Sequence, residues 1–128
     1  MPTYIFSKEV IEKIHTGEVS AAIFPRSKQG VAGMRAYFFE TSHLVKLAAS
    51  SRLQAVTPIV VDVEKCLLEN EIPTSDTLDK ILKACGFDSY AALVNSIQLQ
   101  FTLPFEGRLH SWFPPANDFS TTLNQSAA

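Results

Sequence analysis

The segment Lys83-Ala84-Cys85-Gly86-Phe87-Asp88-Ser89-Tyr90-Ala91-Ala92-Leu93-Val94 restricts the fold more than any other part of the chain, because it ends one helix, turns and begins another. Upstream, Leu78, Ile81, Leu82 and Cys85 recur at helical spacing, and Ser75 is placed to cap the start of that helix. Gly86 stands where a left-handed residue closes a helix without a Cβ clash. Asp88 is the expected acceptor for the first free amides of the next helix, whose apolar positions are Leu93, Val94 and Ile97. Two helices joined by a Gly-Phe-Asp corner follow.

A chain of 128 residues is expected to be one domain. With 46% hydrophobic and 19% charged residues it can bury a core and is not of disordered composition. A formal charge of −2 gives no global attraction to nucleic acid, so an anion site has to come from local clustering. Cys66 and Cys85, the two cysteines, are too few for a disulfide-based fold or a four-thiolate zinc site and read as buried free thiols. The opening residues lack the pattern of a signal peptide, and no apolar run is long enough to span a bilayer; a cytoplasmic setting with no membrane partner is expected.

Along the chain, Ser7 is the expected cap of a first helix carrying Val10, Ile11 and Ile14, with Gly17 beyond its end. Ala21 to Phe24 reads as a strand stopped by Pro25, and Arg26-Ser27-Lys28-Gln29-Gly30 as a polar turn. Met34 to Glu40 reads as an aromatic strand, and Ser42 to Ala49 as a short helix. Val56 to Cys66 alternates as a strand, with Asp62 and Glu64 on its polar face and Pro58 marking an edge or bulge. Arg108 to Phe113 is expected to close the sheet. Residues 1–113 then form the domain and 114–128 a C-terminal tail of Ser, Thr, Asn, Gln and Ala. This order predicts α+β, a small curved β-barrel with helices packed outside.

On four pieces the chain resembles the ASCH branch of the PUA-like superfamily. They are Val10 to Glu18, the strand Ile59 to Val63, the corner Cys85 to Tyr90 with its following helix, and the terminal strand carrying Trp112. The resemblance spans residues 5–113 and implies a barrel whose cleft binds RNA or a nucleotide-like ligand. The family loop runs Gly-x-Lys-x-x-x-x-Arg, whereas here Gly17 is followed by Val19 at the lysine position and Phe24 at the arginine position. Relatives that act as nucleoside amidohydrolases or ribonucleases rely on that lysine. A valine offers neither a base nor a nucleophile, so the resemblance implies the scaffold more than the chemistry.

The residues themselves supply a basic lip, Arg26, Lys28 and Arg35, able to hold phosphate, although a solvated loop carries the same charges. Tyr37 and Trp112 offer rings to stack a planar group, although both types also fill cores. His15 fits a helix C-terminus, and His43 and His110 show no metal-ligand spacing. No nucleophile elbow or phosphate loop is present. The expectation is an RNA- or nucleotide-binding module whose site comprises Gly17, Arg26, Lys28, Arg35, Tyr37 and Trp112, without catalytic residues, metal or cofactor. A hydrolase with a rearranged site and a homodimerising interaction module are the alternatives, the latter suited to the apolar surplus.

Overall fold

The computed structural model describes residues 2–115, without the side chains of 43–45. Its elements are β1 (Thr3–Phe6), α1 (Lys8–Thr16), β2 (Ala21–Pro25), β3 (Arg35–Glu40), β4 (His43–Val61), β5 (Cys66–Leu68), α2 (Ser75–Cys85), α3 (Tyr90–Gln98) and β6 (Phe105–Trp112). The strands lie in the order β1-β3-β4-β6-β2, with β5 added to β4. β1 runs parallel to β3, and every other pairing is antiparallel.

β4 is the spine of the sheet. Its first half pairs with β3 and its second half with β6, with register shifts at Phe38–Glu40 and again between Leu53 and Ala55. Each shift bends the strand and increases its twist. The sheet therefore curls until its two edges approach: the Tyr4 ring on β1 lies 5.2 Å from the Phe24 ring on β2. The result is a single α+β domain built on a strongly curled half-barrel, with three helices among the described residues.

Two apolar clusters occupy the two faces. Inside the curl, Tyr4, Phe38, Leu53 and Trp112 pack with Ile11 and Ile14 of α1. Outside it, Ile59, Val61, Phe105 and Leu109 pack against Ile81, Leu93 and Ile97 of α2 and α3. β6 serves both clusters, so it is buried on alternating residues in both directions. The outer face of β1, β3 and the first half of β4 contributes no residue to either cluster except at its margins.

Several expectations change. Ser42 to Ala49 is not a helix; Ala49, Ser51 and Leu53 alternate as buried residues of β4. The run Leu47-Ala48-Ala49 has helical propensity, and cross-strand pairing with β3 overrides it. The Val56–Cys66 strand is two strands. Asp62 N–H donates to Lys65 O at 3.0 Å across a tight turn, so Asp62 and Glu64 do not share a strand face. The helix caps are Thr74 and Ser89 rather than Ser75 and Asp88; each hydroxyl accepts from the amide three residues on. The first strand, Thr3–Phe6, was masked in the sequence by its brevity. Of the segment read as a tail, Pro114 and Pro115 are described and Pro115 is buried; residues 116–128 lie outside the described residues. No described helix is long and apolar enough to cross a membrane.

Candidate functional site

The six sequence candidates fall in four places. Gly17 ends α1 in the left-handed region (φ 85°), donating its N–H to Ile14 O, and a Cβ placed there would sit 3.9 Å from Pro114. Its role is to close the helix beside Pro114. Val19, two residues on, is buried against Gly86, and the Phe24 ring belongs to the interior aromatic group.

Lys28 and Trp112 meet the interior of the curl. Trp112 is 1% exposed, with its ring 5.0 Å from Phe38 and 5.8 Å from Tyr4. Beside it the Tyr4 hydroxyl lies 2.8 Å from His110 Nδ1. Burial pushes the Tyr4 phenol up to about 12. Burial, reinforced by the positive charges of Lys28 and Arg108, brings His110 down to about 4. Both groups are therefore neutral near pH 7. A donating phenol leaves the ring proton on Nε2; the reverse leaves Nε2 bare. Either way His110 Nε2, like Trp112 Nε1, has no partner among the described residues. Lys28 crosses the mouth above this pair: its ammonium donates to Thr3 O and stands 4.7 Å over the Tyr4 ring. Burial lowers its pKa. Gly30 roofs the histidine, because a Cβ there would come within 3.1 Å of His110 Cε1 and 3.0 Å of Leu53 Cδ1. A tyrosine–histidine pair sealed by Gly30 and Leu53 is a structural couple, not an acid–base pair presented to a substrate.

Arg35 and Tyr37 come together on the open outer face. Arg35 of β3 lies directly opposite Arg52 of β4, and Tyr37 opposite Ser50, while the intervening Ala36 and Ser51 are buried. Strand alternation puts Arg35, Tyr37, Ser50 and Arg52 on one side. Arg52 is exposed and its guanidinium donates to Gly33 O at 3.3 Å. The same face continues into Ile5, Phe39 and Leu47, which pair in register beyond Tyr37. Ile5 is 56% exposed and Leu47 43%. That Arg52 would lie on a segment neighbouring Arg35 is an expectation of the sequence; their direct opposition, joined to an apolar end, follows only once residues 43–53 form a strand.

Arg26 stands apart. With Arg108, Asn70 and Glu106 it borders a hollow of ≈ 240 Å³ over Pro58 and Val60, and it pairs with Glu106 at 3.6 Å on the exposed surface. Among the described residues no three His, Cys, Asp or Glu side chains gather as a metal site. His15 Nε2 lies 3.1 Å from Ala48 O, tying α1 to β4. Cys66 and Cys85 are free, and burial raises both thiols, Cys85 to about 12, which keeps them protonated.

No protein-family model matches the chain, and no curated protein matches it in sequence. In structure it is similar to protein EF3133 from Enterococcus faecalis V583, whose crystal structure carries the family description DUF984. The TM-score is 0.54 at 16% identity, over 88% of this chain and 78% of that one. At that identity the likeness is one of fold: a small α+β domain with a curled sheet.

Proposed function

We propose that this domain is an RNA- or nucleotide-binding module of PUA-like, ASCH-type architecture, and that it holds its ligand on the open outer face of β1, β3 and β4. The single observation that carries the reading is the direct opposition of Arg35 and Arg52, with Tyr37 next along on the same face. Two guanidinium groups at opposed positions on neighbouring strands can share one phosphate by charge-assisted hydrogen bonds. A cation pair, Arg52 exposed and Arg35 half-buried, beside the half-buried Tyr37 ring is the composition of a single-strand platform, where charge follows the backbone and the ring stacks a base. Trp112 supports this face from behind through Phe38 and does not touch the ligand.

The test is a titration of short single-stranded RNA followed by fluorescence anisotropy at several salt concentrations. Affinity falls with salt, and Arg35→Ala or Arg52→Ala lowers the logarithmic salt slope by about one each. Tyr37→Ala weakens binding by roughly 1–3 kcal/mol with little change of slope. RNA affinity that ignores salt and all three substitutions overturns the reading.

A second reading draws on the hollow at Arg26 and Arg108. At ≈ 240 Å³ it is smaller than the usual ~300–1,000 Å³ ligand pocket and suits one phosphate or carboxylate group. Arg108→Ala abolishing the binding of a nucleoside monophosphate while sparing RNA affinity would move the site there. The hydrolase alternative has less support, because Val19 is packed and Phe24 fills the place of the family arginine. The dimerising alternative draws on Ile5, Phe39 and Leu47, and sedimentation velocity decides it.

A further inference from the structure

The connection from β2 to β3 does more than join two strands. It opens as a tight turn, in which Lys28 N–H donates to Pro25 O at 3.0 Å. Among residues 26–33 only Lys28 and Gly30 are half-buried, and the rest are exposed. Those two residues meet the interior of the curl. The Lys28 ammonium donates to Thr3 O and stands 4.7 Å over the Tyr4 ring and 5.5 Å over the Phe24 ring. Gly30 rests on His110 and Leu53, and Leu53 stands opposite Trp112 in the sheet.

The bond to Thr3 O joins the two edges of the half-barrel. Pro2 O and Phe6 O accept from the amides of Tyr37 and Thr41, so alternation turns the Thr3 carbonyl away from β3. β1 has β3 as its one strand neighbour, and Lys28, three residues past the end of β2, reaches across to that outward carbonyl. At its other end the segment is fixed by backbone. Gly33 N–H donates to Leu53 O at 2.8 Å, and the Arg52 guanidinium donates to Gly33 O. Gly33 itself is at φ 91° with open space where a Cβ would stand, a conformation that leaves its backbone free to turn. A segment hinged by backbone at one end and held by one flexible side chain at the other has the build of a lid.

We propose that residues 26–33 form a lid on the interior of the curl, hinged at Gly33 and latched by the Lys28 ammonium on Thr3 O, and that the lid opens while the rest of the domain stays folded. It covers His110 Nε2 and Trp112 Nε1, two buried polar atoms without a partner among the described residues, and opening gives both of them access to solvent.

Trp112 is the one tryptophan of the chain, which makes its indole proton a direct probe. With no internal partner, that proton exchanges with water at a rate set by access to the interior. The Ile97 amide of α3, buried in the outer cluster, reports opening of the whole domain. Exchange followed by NMR is expected to show the indole proton roughly tenfold less protected than the Ile97 amide, each against its free rate. Lys28→Met keeps a chain over the rings and removes the charge, and it is expected to widen that ratio by about another tenfold. Lys28→Arg restores a cation and moves the ratio back toward that of the parent. Equal protection of the two protons in the unaltered protein overturns the lid, and that comparison stands even if Lys28→Met fails to fold. A ratio unchanged by Lys28→Met overturns the latch and the proposal with it. Neither readout involves RNA, so this proposal and the proposed function stand or fall separately.

Discussion

At the scale of single residues, His110 and Tyr4 carry the sharpest energetics. His110 is fully buried, and its pKa of about 4 lies below the ordinary 6.5, so between those values the unfolded chain holds a proton that the folded chain excludes. Stability therefore rises with pH across that window, is complete above about 6.5, and loses roughly 3 kcal/mol as pH falls to 4. Tyr4, pushed up to about 12 by burial, stays neutral throughout that window and does not offset the loss. Urea denaturation from pH 4 to 7.5 checks this, and His110→Gln is expected to flatten that part of the profile. Tyr4→Phe leaves His110 Nδ1 without its partner and is expected to cost about 1–3 kcal/mol at pH 7. The histidine's fate was not legible in the sequence. His110 sits two residues from Trp112 on the same strand face, as expected, but nothing local to residue 110 announces a tyrosine that is more than a hundred positions earlier.

At the scale of elements, the helix pair was legible because its signals are local. Gly86 caps α2 at φ 84°, with its N–H donating to Lys83 O, as the corner's composition requires. The cap of α3 is a finer matter: Asp88 and Ser89 are both good caps, and backbone geometry selects Ser89, whose Oγ accepts from Ala92 N–H at 3.1 Å. Ser89→Ala is accordingly expected to cost about 1 kcal/mol and Asp88→Ala to stay within about 0.5 kcal/mol, measured by thermal or urea unfolding. Strands fared worse. β4 carries Leu47, Ala48 and Ala49 at its start, residues that favour helix, and their strand state depends on β3 lying beside them. Local propensity is worth tenths of a kcal/mol per residue, and pairing with burial of Ala49 and Leu53 outweighs it.

At the scale of the whole molecule, β6 is the element on which both apolar clusters depend, sending Phe105 and Leu109 toward α2 and α3 and Trp112 into the curl. Leu109→Ala is expected to cost roughly 2–5 kcal/mol, whereas Ile5→Ala on the open face is expected to change stability by less than about 0.5 kcal/mol, both by urea denaturation. Arg35, Arg52 and Tyr37 align on the side of β3 and β4 opposite the buried Ala36, Phe38, Ala49 and Ser51. The amino-acid order alone determined the class: helical periodicity, caps and glycine stops act within a few residues, so α1, α2 and α3 follow from them, and the aromatic run Tyr37 to Phe39 marks β3. Only the tertiary structure decided which charges meet. Strand partnership is set by the curl of the sheet and by register shifts in β4, so it joined Arg35 to Arg52, sent Arg26 to a separate hollow and turned Trp112 inward. Contacts between residues far apart in the chain have no local signature, because the energy that forms them comes from burying both partners at once.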